Sequence, residues 1–147
     1  MQLDGKIIWL LIAATAGSLM AIQGCFNSIL SKTIGLQGGT FSVHLIGLVA
    51  AGILFLIMGT GNLAKIGTAP WYSWLGGIIG VAIIVGVAVS IPKLGVGVAT
   101  TAIISAQLLT AYLIDHFGLL GMETIPFNLV KLGGIALIVV GAKILLN

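Results

Sequence analysis

Charge is almost missing from this sequence. Arginine is absent, there are only three acids, and the six lysines bring the charged share to 6% of 147 residues, against roughly 25% in ordinary soluble domains. A chain this short has a large surface for its volume and does not own enough polar groups to cover it. A water-soluble globule is therefore excluded, and so is a disordered or nucleic-acid-binding chain. A single cysteine, Cys25, excludes a disulfide framework and a cysteine-based zinc site. The net charge of +3 comes from so few groups that the basic pI of about 9.3 carries little meaning. What is abundant is apolar surface: hydrophobic residues make up 59% of the chain and the mean hydropathy is +1.27. The composition is that of an integral membrane protein.

Five apolar segments run over residues 7–30, 41–58, 71–91, 96–114 and 127–146, each near the ~20 residues that cross a bilayer as a helix. They lack strict period-two alternation and are too long for barrel strands. Helices are expected, because a span must satisfy its own backbone in lipid. Lys131 and Lys143, near the two ends of the last segment, can snorkel to the interface. The breaks are short and rich in glycine or proline: Ser31–Thr40, Gly59–Pro70, Pro92–Gly95 and Asp115–Pro126. None could house a soluble domain, so the expected fold is a single all-α transmembrane domain over 1–147, a five-helix bundle. Lys6 and Ala14-Thr15-Ala16 superficially resemble a signal peptide with its cleavage site. The apolar run continues to Leu30 and the start also carries Asp4, so the segment reads as a span.

Five spans place Lys6, Lys65 and Lys131 on the N-terminal side and Lys32, Lys93 and Lys143 on the other. Orientation follows lysine and arginine asymmetry, to which acids contribute little. Here there is none. One reading is dual topology, in which copies insert both ways and pair as an antiparallel homodimer of ten helices. The other is a chance tie, or a balance tipped by Asp4, Asp115 and Glu123, all on the N-terminal side. Trp9, Trp71, Tyr72, Trp74, Phe117 and Phe127 also gather on that side, with Phe26 and Phe41 toward the other, which suits interfacial anchoring in either arrangement.

Polar residues at depth tend to face the protein interior. Gln107 lies close to the middle of the fourth span, and Thr100, seven residues earlier, shares its face. In the first span Gln23 and Asn27 are four apart, in line with Ala16 and Met20. Gln23, Asn27, Thr100 and Gln107 are the candidate substrate-binding residues, offering amide donors and acceptors. The same groups could instead serve interhelical hydrogen bonds, worth ~0.6–2 kcal/mol each. Gly76 and Gly80, and Ala102 and Ala106, are small-x-x-x-small pairs expected to let helix backbones pack closely. Gly47, Gly52, Gly86, Gly133, Gly134 and Gly141 are further expected points of close approach. There is no Ser/His/acid set, no metal-ligand cluster and no phosphate loop, so no catalytic or metal residue, no cofactor and no enzymatic activity is expected.

Three stretches carry a family resemblance. Gln23-Gly24-Cys25-Phe26-Asn27 resembles a Gln-x-x-x-Asn signature, and Trp74-Leu75-Gly76-Gly77-Ile78-Ile79-Gly80 resembles a third-helix glycine motif. Gln107-Leu108-Leu109 followed by Asp115-His116-Phe117-Gly118-Leu119-Leu120-Gly121 is the most distinctive. Together they resemble the YdcZ-type five-helix proteins of the drug/metabolite transporter superfamily. The resemblance implies a multi-pass bacterial inner-membrane transporter of a small metabolite or drug-like compound. It also implies kinship with four-helix small multidrug resistance proteins, which work as antiparallel dimers, and with ten-helix members that look like two inverted five-helix halves. The expected partners are a second copy of the chain, lipid and a small-molecule substrate, with no nucleic acid. The alternative is a non-transporting membrane subunit, or half of a heterodimer with a paralogous chain. The four-helix cation exporters carry a membrane-embedded glutamate in the first helix, and this chain has no acid between Lys6 and Lys65. A glutamate-centred exchange is therefore not carried over. Asp115, His44 and His116 remain as candidates for coupling or for a dimer contact. An inverted partner would bring His44 of one copy to the depth of Asp115 of the other.

Overall fold

A computed structural model describes residues 2–59 and 61–146, with side chains from Lys6 onward, so the side chain of Asp4 lies outside the described residues. The chain forms five long helices: α1 Gln2–Ile34, α2 Leu36–Met58, α3 Leu75–Leu94, α4 Val96–Phe117 and α5 Leu129–Leu146. Short 3₁₀ turns cover Leu63–Thr68, Trp71–Trp74 and Leu119–Gly121. All five helices, with Trp71–Trp74 joined to α3, are long and apolar enough to cross a bilayer. At 33 residues, α1 is about 50 Å long and must tilt or project beyond a hydrocarbon core of about 30 Å.

The breaks are narrower than the sequence suggests. The interruption expected over Ser31–Thr40 is one residue, Gly35, and the turn expected at Pro92–Gly95 is Gly95 alone. Pro92 lies inside α3, in its last turn, where its missing amide costs a single backbone bond. The two junctions are built alike. Gly35 has φ 84° and ψ 157°, and Gly95 has φ 81° and ψ 162°, a region open essentially to glycine only. Each junction carbonyl then starts the next helix: Gly39 N–H donates to Gly35 O at 2.9 Å and Ala99 N–H to Gly95 O at 3.2 Å. The residue four beyond the junction, Gly39 or Ala99, is buried in both cases.

Packing gathers the chain into two compact units, Met1–Lys93 and Leu94–Asn147. In the first, the end of α1 packs on the start of α2 as an antiparallel hairpin. A Cβ on Gly39 would stand 2.7 Å from Ser31 Oγ and 3.1 Å from its Cα and N, so the backbones meet there. Against α3, a Cβ on Gly24 would reach Val87 at 3.0 Å and Ile91 at 3.1 Å. In the second unit α4 packs on α5 and on the 3₁₀ turn after it. Burial is inverted relative to a water-soluble fold. The buried side chains among the described residues are mostly small or polar, including Asn27, Ser28, Thr40, Ala88, Ala99 and Ala142. Leu56, Leu129 and Val130 are more than three-quarters exposed. In lipid the hydrophobic effect does not draw helices together, so small residues allow contact and large apolar ones face the solvent.

Candidate functional site

In the first unit, Gln23 and Asn27 line one cavity of about 500 Å³, together with Ala16, Met20, Phe26 and Val43. The i, i+4 spacing on α1 puts the two amides on one stripe. Asn27 is only 5% exposed, whereas Gln23 is open. Val43 of α2 stands as far beyond the Gly35 junction as Asn27 stands before it, as an antiparallel hairpin requires. No ionised side chain lines this cavity. Its chemistry is that of uncharged amides in apolar walls, which orient a polar group by donating and accepting hydrogen bonds.

The second polar stripe lies on α4, in the second unit: Thr100 is half-buried and Gln107 exposed. Within that unit a cavity of about 260 Å³ lies between α4 and α5, lined by Thr101, Ser105, Ile138, Gly141 and Ala142. Its hydroxyls are already engaged, Thr101 Oγ1 donating to Gly97 O at 2.9 Å and Ser105 Oγ to Thr101 O at 2.8 Å. Thr101 and Ser105 escape the sequence reading, which follows the face of α4 shared by Gln107 and Thr100. Their i, i+4 spacing opposite Gly141-Ala142 was the available signal.

Small residues divide by what faces them. Gly76 has no neighbour within 4 Å in its unit, and neither do Gly47, Gly52 and Gly86 or, in the second unit, Gly133, Gly134 and Gly141. These glycines are therefore not the close approaches expected of them inside either unit. Gly80 lies beside His44 Nε2, 3.8 Å from an added Cβ, and Ala102 and Ala106 are exposed. The tight approaches between helices fall instead on Gly24 and Gly39, and further ones lie outside the helices at Gly61 and Gly118.

The Asp-His-Phe-Gly-Leu-Leu-Gly stretch is a closed turn between α4 and α5. Gly118 caps α4 at φ 59° and ψ 36°, its amide donating to Ile114 O. The chain then doubles back. Ile125 N–H donates to the Asp115 carbonyl at 2.7 Å, and Phe127 N–H donates to His116 Nδ1 at 3.2 Å. The His116 ring lies 4.8 Å from that of Phe127 and 4.7 Å from that of Phe117. Asn128 Oδ1 accepts from Lys131 N–H at 2.8 Å and starts α5. His116 thus works as an acceptor, with its remaining proton on Nε2. His44 is set the other way. Its Nδ1 lies 2.9 Å from Thr40 O, and since a carbonyl can only accept, Nδ1 carries the proton.

The His116 contact predicts a graded result. His116→Ala leaves the Phe127 amide without its acceptor and removes two ring contacts, and should cost about 1–3 kcal/mol. His116→Asn places Oδ1 close to the position of Nδ1 and should recover a substantial part. Thermal unfolding of both variants in detergent checks the order.

No protein of curated function and no solved structure matches this sequence. A family profile does, over residues 8–144, under the description "Putative inner membrane exporter, YdcZ". With five helices able to cross a bilayer, the chain is a multi-pass protein of the bacterial inner membrane. Nearly the whole length is matched, glycine motif, amide stripes and closed turn included, and the chain belongs to the YdcZ family of inner membrane exporters within the drug/metabolite transporter superfamily.

Proposed function

We propose that this chain exports a small metabolite or drug-like compound, working as an antiparallel homodimer by alternating access. Membership of an exporter family supports transport. The observation that carries the substrate reading is the α1 cavity, where an almost wholly buried amide, Asn27, shares an apolar chamber with Gln23. Gln23 and Asn27 on α1, with Thr100 and Gln107 on α4, are the proposed polar contacts to substrate. The even division of lysines supports pairing of oppositely inserted copies. Transporters built from inverted halves hold substrate near the midplane and rock around it. Two identical halves exchanging conformations need no third component.

The side chains favour a substrate that is uncharged or weakly polar. A strongly cationic compound would want an embedded carboxylate, and no acid occurs between Lys6 and Lys65. Asp115 and His44 meeting across the pair is the proposed dimer contact. Cysteine replacements at both positions should give an intersubunit disulfide on oxidation, and its absence would remove that contact from the proposal.

The test of function is a screen of compounds for thermal stabilisation of the purified protein. A true substrate should lose affinity in both Gln23→Leu and Gln107→Ala, by about two- to tenfold each for one net hydrogen bond. Hits that bind these variants as well as the parent chain would move the site elsewhere. A screen without hits, on a particle of single-chain mass, would favour a non-transporting subunit.

A further inference from the structure

A second cavity in the first unit shares no lining residue with the one around Gln23 and Asn27. It measures about 480 Å³ and lies between α2 and α3, with Gln37, Thr40, Phe41 and His44 on one wall and Val81 and Val85 on the other. That volume suits a small organic molecule. No lysine or acid lines it, which disfavours an ionic ligand.

Two polar groups at this cavity are left with capacity. His44 uses Nδ1 on the Thr40 carbonyl, so the neutral ring keeps a free lone pair on Nε2. On α3 the bare backbone of Gly80 faces that nitrogen, where an added Cβ would stand 3.8 Å away. Thr40 is 7% exposed, and its hydroxyl oxygen is enclosed without a hydrogen-bond partner. An orphaned buried hydroxyl calls for an explanation, and a bound molecule is one of the few available. Threonine in a helix has two accessible χ1 rotamers, so one rotation exchanges methyl and hydroxyl at the cavity wall. An acyl chain would fill the volume and leave both groups unpaired. A flat apolar molecule with one N–H or O–H would fill it and donate that hydrogen to His44 Nε2, with Phe41 offering an aromatic face.

We propose that the α2–α3 cavity binds a small, neutral, mostly apolar molecule carrying one hydrogen-bond donor, of the indole or phenol class, with His44 Nε2 as its acceptor. The site shares no residue with the amides proposed for the exported substrate, so each can fail without the other. His44 Nε2 cannot hold this ligand and meet Asp115 of a second copy at once, so the ligand and that dimer contact are alternative uses of the ring.

The experiment uses the full chain in lipid nanodiscs and measures saturable binding of indole and of 1-methylindole, which has nearly the same shape and no donor. Indole should bind about five- to tenfold more tightly, the size expected when a buried acceptor is left unpaired. His44→Leu should erase that difference, whereas discrimination by bulk alone would survive it. Val85→Phe should fill the cavity and abolish binding of both probes, and Gln23→Leu should leave both unchanged. Equal affinity for the two probes in the parent chain overturns the proposal. So does binding that persists in Val85→Phe, or a cavity held by phospholipid that indole does not displace. If Val85→Phe does not fold, the comparison of the two probes in His44→Leu decides alone.

Discussion

Gly35→Ala should destabilise the protein by about 1–3 kcal/mol, and Gly95→Ala by a similar amount. The reason lies in the backbone and not in crowding, since neither glycine has an atom within 4 Å of where a Cβ would stand. At φ 84° with ψ 157°, and φ 81° with ψ 162°, an L-residue clashes with its own peptide groups. The single residue between two helices has no neighbour to absorb a change of angle. A relaxed dihedral would instead break the bond that starts the next helix, from Gly39 N–H or Ala99 N–H to the junction carbonyl. Asparagine offers no relief at either position, because it tolerates the left-handed helical region and not this one. Gly59 is the contrast: at φ 60° and ψ 13° it is a left-handed cap with open space around it, and Gly59→Asn should be nearly neutral. Gly17 supplies the second control. It lies within α1 with nothing within 4 Å, so Gly17→Ala should be neutral or slightly stabilising. Unfolding in mixed micelles ranks the variants. Gly35→Ala matching Gly17→Ala would show that the junction does not need this conformation.

These junctions also show where the sequence can and cannot be read. Hydropathy located all five helices, because crossing a bilayer imposes a length and a composition that local chemistry cannot disguise. It placed their ends poorly. Lys32 and the pair Gly38-Gly39 look like loop, yet lysine at a helix end suits the macrodipole and both glycines are helical. The true break, Gly35, is one glycine among 22. Its distinguishing pattern, a glycine followed at four by a small residue and at five by threonine, recurs at Gly95 and becomes visible only once the dihedrals are known.

The amide stripe on α1 was legible for a simple reason. Residues four apart on one helix share a face wherever the helix goes, so Gln23, Asn27, Ala16 and Met20 could be placed together without knowing their neighbours. What lies opposite a stripe depends on long-range packing, which periodicity does not encode. Val43 in the same cavity, Thr40 enclosed without a partner and Ser31 against Gly39 all come from a second helix. The G-x-x-x-G rule points to Gly76 and Gly80, whereas within the first unit the tight approaches between helices are at Gly24 and Gly39. The rule identifies helices able to come close and not the pairs that do. His116 was read as an ionisable group in search of a coupling role. Its ring accepts a backbone amide and packs on Phe127, a contact eleven residues distant that a helix-end reading of Asp115-His116 does not contain.

The largest effect expected in cells concerns lysine count. If oppositely inserted copies pair, the parent chain should show a C-terminal reporter on both sides of the membrane, in roughly equal amounts, because three lysines face three and orientation follows that difference. Lys32→Ala with Lys93→Ala leaves three against one and should commit the chain to one orientation, with its N-terminal side in the cytoplasm. Lys6→Ala with Lys65→Ala should commit it to the other. All four lysines are exposed, so the substitutions remove charge without opening a cavity or stranding a buried partner. Neither fixed chain alone can form an inverted pair, and each should purify without the dimer and without stabilisation by any compound that stabilises the parent. Expressed together under different tags, they should copurify and regain both properties. That rescue separates topology from damage, since two misfolded chains do not repair each other. A parent chain with a strictly one-sided reporter, or one fixed variant that dimerises and binds normally alone, would mean that the lysine tie is accidental and that any working pair is parallel.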